Sequence, residues 1–294
     1  MINTKAVKHS VILPIYRFLF ARNFLYAINK AVFTLSLRGI GVLNNENTKI
    51  SGEEWFIKKT ANLLEDSFVM DIGANIGDYS TRIKKHAPKA KVYSFEPHPK
   101  TFRELKKQAE KDGYIPVNAG CGNKNKEDTL YDYEGLENTG SSHASMYEGV
   151  ISQIHSNISA QWNVRIIKID DFVRENNIDR IRLLKVDVEG AELEVLQGMS
   201  QTIKAGLVDL IQFEFNEMNI ISRVFLKDIY MFLDNYEFYR LMPNGLMALG
   251  KYSPVHWEIF AYQNIVAINK SFTFNWRCCT NKGYGRVTAT VSFK

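Results

Sequence analysis

The sequence predicts an α/β chain built on a doubly wound, mainly parallel sheet, and three observations carry that expectation. Short apolar runs alternate with helical stretches from near Val69 to about Asn269. A glycine turn, Gly73-Ala74-Asn75-Ile76-Gly77, follows the first run, and an acidic residue, Glu96, closes the second. Alternation of this kind favours parallel βαβ units with helices on both faces of one sheet.

Composition bounds the class. With 294 residues, 45% hydrophobic, 23% charged and 7 prolines, the chain can bury a large core, which excludes disordered and fibrous classes. Lys plus Arg is 37 against 32 for Asp plus Glu, a net +5, and no basic run reaches five or six residues, so no nucleic-acid partner is expected. Cys121, Cys278 and Cys279 are an odd set with two neighbours, unsuited to a disulfide framework, and a reducing, cytoplasmic setting is expected. The six histidines are scattered, so no structural zinc is expected. Val11 to Phe20 is apolar and follows Lys5 and Lys8. Pro14, Arg17, Arg22 and Lys30 keep it short of the ~18 apolar residues of a membrane span, and neither a span nor an export signal is expected.

The elements follow in order. Residues 1–50 read as a helical extension: Phe18, Leu19, Leu25, Ile28, Val32 and Leu35 recur at helical spacing, giving one or two amphipathic helices. These either pack on their own domain or, given their Phe and Arg content, lie on a membrane surface, so peripheral membrane contact is a second reading. Residues 51–270 form the main domain. Ser51 and Glu54 have the spacing of a capping box opening a helix to Leu64. Strands are expected at Phe68–Ile72, Lys91–Phe95, Tyr114–Ala119, Arg165–Ile169, Arg182–Val188, Leu207–Phe215, Tyr236–Met242, Leu246–Leu249 and Gln263–Ile268. Helices are expected after Gly77, between Pro99 and Gly113, and over Asp170–Asn176, Ala191–Met199 and Ser222–Asp234. The polar, turn-rich residues 123–160 suit a lid or substrate loop. Residues 271–294 suggest one alternating strand (Val287, Ala289, Val291, Phe293) after a loop at Asn281–Gly285, with no function assigned.

Chemistry concentrates at strand ends, where open α/β sheets bind ligands. A glycine turn there can serve a dinucleotide or S-adenosylmethionine. The dinucleotide pattern Gly-x-Gly-x-x-Gly needs bare backbone at the helix start, but Asn75 and Asp78 occupy its second and third positions. Asp78 would set a negative charge beside a pyrophosphate, whereas a sulfonium donor has no phosphate, so the turn favours the methyl donor. Glu96, 25 residues after Asp71, can accept hydrogen bonds from both ribose hydroxyls. In Lys185-Val186-Asp187-Val188-Glu189-Gly190-Ala191-Glu192, strand alternation would point Lys185, Asp187 and Glu189 the same way. Such carboxylates can act as a general base, hold the cofactor's amino group, or bind a hard cation. Glu192 and Glu194 read as solvated helix-face residues.

These segments resemble the FkbM-like methyltransferases. Asp71-Ile72-Gly73-Ala74-Asn75-Ile76-Gly77, Ser94-Phe95-Glu96-Pro97, Ile169-Asp170-Asp171-Phe172 and Lys185 to Glu192 occur in the family's order. Leu37-Arg38-Gly39-Ile40-Gly41, Ser51-Gly52-Glu53 and Leu196-Gln197-Gly198 extend the likeness over roughly Leu37 to Asn269. The resemblance implies a class I (Rossmann-like) methyltransferase fold and an O-methyltransferase using S-adenosylmethionine, often on sugar hydroxyls of polysaccharides, glycolipids or secondary metabolites. Carried over by motif, Asp71, Gly73, Asn75, Gly77, Glu96, Pro97 and Glu53 form the cofactor set, and Asp187 and Glu189 face a glycan or small-molecule acceptor. His98 departs from the family's usual Asn after Glu-Pro, leaving the adenine contacts open.

Aligning an acceptor oxygen with the methyl carbon and excluding water is the main requirement of such a transfer. Asp187, Glu189 or His143 are the candidate bases, Asp187 first. A Mg²⁺ on Asp187, Glu189 and Glu214 is the other route to an activated hydroxyl. The rival functions are an NAD-dependent oxidoreductase on the same fold and a non-catalytic binding module.

Overall fold

Five parallel strands carry the candidate site, in the spatial order β3 (Ile115–Val117), β2 (Lys91–Phe95), β1 (Phe68–Ile72), β7 (Ile181–Val186), β8 (Val208–Phe215). The order reverses between β1 and β7, because β2 and β3 are added on one side of β1 and the later strands on the other. At such a switch point consecutive connections leave on opposite faces and a crevice opens beyond the carboxyl ends. The computed structural model that shows this describes residues 12–133, 144–147, 149, 152 and 159–272, and the backbone of 276–280 and 283–287.

Strand alternation distributes the core to two layers. Val69, Val92, Leu183 and Leu210 face Phe56 and Ile57 of α3 (Glu53–Leu64), Tyr79 and Ile83 of α4 (Asp78–His86) and Leu105 of α5 (Pro99–Asp112). Met70, Ile72, Phe95, Leu184, Val186, Ile211 and Phe213 face the opposite layer. That layer includes Val173 of α6 (Ile169–Glu175), Val195 of α7 (Glu192–Gln197), Ile203 of α8 (Ser200–Lys204) and Ile229 of α10 (Leu226–Phe232).

One row on the α3/α4 face is polar. Ser94, Asp71, Lys185 and Gln212 stand side by side in register across β2, β1, β7 and β8, and all are buried. Ser80 of α4 donates to Asp71 at 2.6 Å and lies 2.7 Å from the Ser94 hydroxyl. Tyr79 donates to Gln212 at 2.7 Å, and Gln212 donates to Asn264 and to Glu53. These partnerships avoid the ~1–3 kcal/mol cost of each buried polar group left unpaired.

Beyond β8 the sheet turns antiparallel. β11 (Gln263–Asn269) fills the space between β8 and β9 (Tyr236–Met242) and runs opposite to both, and β9 forms a hairpin with β10 (Gly245–Ala248). A second, three-stranded sheet joins β4 (Gly120–Gly122), β6 (Ser159–Lys168) and β5 (Lys126–Tyr133), so the start of the expected lid region is a strand, β5, paired antiparallel with β6, and much of the rest of that region lies outside the described residues.

Several expectations change. The third strand is shorter than Tyr114–Ala119, because the chain after Val117 moves to the small sheet. The capping box is absent: Gly52, at φ 89°, precedes α3, the Ser51 hydroxyl accepts from the Glu53 amide and lies on the Thr48 carbonyl, and Glu54 turns to Lys58 and His86. Ala191–Met199 divides at Gly198, which lies against Gly122, where a Cβ would stand 2.0 Å from the carbonyl oxygen. The helix expected over Ser222–Asp234 is confined to α10; Ser222 instead ends a separate helix, α9 (Met218–Ser222), which stops at Arg223 with its left-handed φ of 57°. In the tail, Gly283 to Gly285, expected as loop, and Val287 belong to β13 (Gly283–Val287), which pairs antiparallel with β12 (Trp276–Thr280), and β12 runs parallel to β10; Ala289, Val291 and Phe293 lie outside the described residues.

The extension is α1 (Leu13–Phe20), a short 3₁₀ turn and α2 (Tyr26–Gly39). No residue of α1 is buried and only Leu37 of α2 is. The segment is attached at its end, where the Leu43 amide donates to the Tyr262 carbonyl at 2.8 Å and Arg240 donates to the Ile40 carbonyl.

Because Lys185 is the cation of the buried row, Lys185→Met is expected to destabilise the fold by about 3 kcal/mol in urea titration at pH 7. A loss under about 0.5 kcal/mol would show that the row does not depend on its charge.

Candidate active site

The turn from β1 to α4 is shaped by backbone bonds. The Gly73 and Ala74 amides both donate to the Phe95 carbonyl, at 3.1 and 2.9 Å, tying the turn to the end of β2. Gly73 (φ 79°) has no room for a side chain, since a Cβ would stand 1.7 Å from the Asp187 carbonyl oxygen. Asn75 also takes a left-handed φ of 50° and folds its side-chain oxygen onto the Ile76 amide.

Beyond this turn lies a cavity of about 360 Å³ at the switch point. Gly73, Asn75, Glu96, Pro97, Asp187 and Glu189 line it, drawn from the ends of β1, β2 and β7. Its outer wall comes from Leu130 and Ile166 of the small sheet with Ala144 and Met146. The Ser145 hydroxyl donates to the Glu189 carbonyl at 2.8 Å, and the Tyr147 hydroxyl to Glu194 at 2.9 Å, pinning this segment over the β7 end.

Glu96 is the buried acid of the cavity. Its two oxygens accept from the Asn75 amide (3.0 Å) and the His98 amide (2.7 Å). Burial pushes its pKa up to about 7 against the lowering effect of these two bonds. His98 caps α5: its Nδ1 accepts from the Lys100 and Thr101 amides, as an Asn side-chain oxygen would at a helix start, so the departure from the family's residue has a structural use. Burial holds the His98 imidazole below its usual pKa, although Asp132 lies 3.4 Å away.

Asp187 follows β7, held by its own amide on the Ile72 carbonyl and by the Lys185 ammonium at 2.8 Å. Burial alone would lower the Lys185 pKa, but the Asp187 and Glu53 carboxylates reverse that effect and keep it protonated. Lys185, Asp187 and Glu189 do not share one direction. The strand ends at Val186 and Glu189 takes a left-handed φ of 51°, which breaks the alternation. Asp187 and Glu189 face the cavity while Lys185 stays in the polar row.

Other expected site residues lie elsewhere. Asp71 is turned to Ser80 beneath the turn, burial raising its pKa to about 6. Gly77 packs against Tyr114, and Glu53 serves Gln212 and Arg82; none of the three lines the cavity. His143 lies outside the described residues. Glu214 accepts from Asn216, and among the described residues no group of three His, Cys, Asp or Glu side chains is arranged to hold a metal, so the Mg²⁺ set of Asp187, Glu189 and Glu214 is not assembled. Glu192 is not a solvated residue: buried, it accepts from the Gly190 amide and from Asn219, and burial raises its pKa to about 7. It braces the turn that presents Glu189. Asp78 lines the cavity, where the choice between donors had set it, and so does Cys121, which was not among the expected site residues. The small run Gly120-Cys121-Gly122 was the available signal for the second, since small residues mark close approach.

A run of parallel strands with the antiparallel β11 inserted between β8 and β9, and a buried acid facing a glycine turn at the switch point, define a class I methyltransferase architecture. Residues 71–239 match the model of the methyltransferase FkbM domain, and the chain belongs to that family. It is similar to "Methyltransferase 1" of Beauveria bassiana (strain ARSEF 2860), 30% identical over 162 residues, covering 50% of this chain and 65% of the relative. It is similar to "Hexuronic acid methyltransferase AglP" of Haloferax volcanii, 29% identical over 143 residues, covering 48% of this chain and 53% of the relative. "2-O-methyltransferase NoeI" of Sinorhizobium fredii is 23% identical over 206 residues, covering 64% and 81%. The chain thus spans less than two thirds of the length of the first two relatives.

A raised carboxylate pKa means that the native state keeps its proton to higher pH than the unfolded chain. The associated stability is present below about pH 4.5 and is lost as pH rises through about 7. Raising the pH from 5.5 to 7.5 is expected to cost the wild type on the order of 2 kcal/mol more than Glu96→Gln, read from paired urea titrations. Parallel pH profiles for the two proteins would contradict this environment for Glu96.

Proposed function

We propose that the chain is an S-adenosylmethionine-dependent O-methyltransferase whose acceptor is a sugar hydroxyl. The observation that carries the reading is Glu96, a buried carboxylate at the cavity wall with both oxygens oriented by backbone amides. An ionised carboxylate there can accept from two vicinal ribose hydroxyls, and apolar Ile76 and Pro97 beside it suit a purine face. Asp78 at the cavity wall sets a negative side chain at the start of α4, favourable to a cationic donor and adverse to a pyrophosphate. When bound, S-adenosylmethionine supplies a methyl carbon made electrophilic by its sulfonium.

Asp187 is the base of this reading. Lys185 fixes its carboxylate from below, and its remaining lone pairs can take the proton of an acceptor hydroxyl as that oxygen forms its bond to carbon. Glu189, on the same cavity wall, orients the acceptor. The segment from Ala144 to Tyr147 closes the outer wall and limits water. A sugar acceptor is supported by the name of one relative, which specifies a hexuronic acid, and transfer to oxygen by the name of another, which specifies a 2-O position.

Calorimetry with S-adenosylmethionine and NAD side by side tests the donor: the first is expected to bind and the second not. Since ionised Glu96 is the acceptor of ribose bonds and its pKa stands at about 7, donor affinity is expected to fall about tenfold from pH 8 to pH 6. Glu96→Gln should weaken binding at pH 8 and abolish that dependence. Tighter binding of NAD would overturn the reading. Asp187→Asn is expected to keep donor affinity and to lower turnover roughly 10²–10⁴-fold in a labelled-methyl assay over glycan acceptors. Unchanged turnover in that variant would remove Asp187 from the chemistry.

A further inference from the structure

The segment from Ile12 to Leu35 leaves its apolar side chains in water. Phe18, Phe24, Tyr26, Phe33 and Leu35 are 62–81% exposed, and the apolar residues of α1 are exposed on every side of the helix. Scattered exposed residues are ordinary, but a contiguous aromatic and aliphatic surface marks a contact with another phase or molecule. Charge narrows the choice. Arg17, Arg22, Lys30 and Arg38 punctuate the segment, and the sequence has no Asp or Glu before Glu46. Among the described residues only Arg38 has an acidic partner there, Glu46; the Arg22 guanidinium lies 4.8 Å from the Phe18 ring centroid.

We infer that α1 and α2 form a docking surface for an anionic phospholipid bilayer, lying in its headgroup region rather than crossing it. Among the described residues no helix is long and apolar enough to cross a membrane. A helix lying in the interface buries its apolar side chains to the depth of the acyl boundary, while Arg and Lys reach back to the phosphates and Tyr and Phe occupy the intermediate layer. A second copy of the chain is the weaker occupant. Symmetric pairing of this segment would bring Arg17, Arg22 and Lys30 near their own copies with no acid to offset them, and would cover only one side of a helix exposed all round. The anchor points of the segment, Tyr262 and Arg240, hold it at the antiparallel part of the sheet. Tyr262 precedes Gln263, which pairs with Phe215 at the carboxyl end of β8, the same edge of the sheet as the cavity. A bilayer under α1 and α2 therefore lies at the edge where an acceptor would enter.

The test is co-sedimentation of the full chain with neutral phosphatidylcholine vesicles and with vesicles containing phosphatidylglycerol, beside sedimentation velocity without lipid. The chain is expected to pellet with the anionic vesicles, to be released by high salt, and to remain in the supernatant with neutral ones. Arg17→Glu/Arg22→Glu/Lys30→Glu is expected to lower partitioning at least about a hundredfold. Phe18→Ser/Phe24→Ser/Phe33→Ser should abolish it, while both variants keep the donor affinity of the parent. No binding to anionic vesicles overturns the inference. So does equal binding to neutral ones, or a dimer in the absence of lipid that the Phe variant dissociates.

Discussion

The structure depends on a buried lysine. Lys185 lies in the middle of the sheet, 3% exposed, between Asp71 on one side and Gln212 on the other, with its ammonium on Asp187 and 5.5 Å from the Tyr79 ring centroid. An isolated ammonium in such a place would lose its proton or unfold the chain around it. The carboxylates of Asp187 and Glu53 keep it charged, and the price of burying all these groups is offset by hydrogen bonds donated by Ser80 and Tyr79 and by the one that Gln212 donates to Asn264. Two helices, α3 and α4, are thereby fixed over the sheet at defined places, because each presents polar side chains that bond this row.

The same lysine joins fold to function. The row faces the helices, the cavity lies beyond the strand ends, and Asp187 stands where the two meet. Its backbone is joined to Ile72 and its side chain to Lys185, so a shift of β7 against β1 would displace both the glycine turn and the acid opposite it. Glu96 is placed by equally rigid means, two backbone amides and the end of β2. The site is thus held by strand ends and short turns, which limits the misplacement that reduces transfer rates. The small sheet and the segment near Ser145 form the outer wall.

Much of the architecture was legible because it is local. Phe68–Ile72 and Lys91–Phe95 are apolar runs bounded by turn residues, and the structure has them as strands with the same ends. Pro99 and Gly113 bound α5 as their backbone preferences require. The errors fall where distant parts of the chain decide. The break at Gly198 comes from contact with Gly122, the end of the third strand from the pull of the small sheet, and the buried state of Glu192 from Asn219. None of these partners is a neighbour in sequence.

The sequence alone determined the alternation of strand and helix, the glycine turn and the family, since each rests on backbone preference or on the order of short motifs. It also placed an acid at the end of the second strand. Only the tertiary structure decided which of the motif residues reach the cavity. Asp71 and Glu96 look alike in sequence, each an acid near a strand end. Asp71 lies within its strand and faces α4, whereas Glu96 lies one residue past its strand and turns to the cavity. A motif records that a residue is required, but whether the requirement is packing or chemistry depends on the face it is given and the neighbours that face meets.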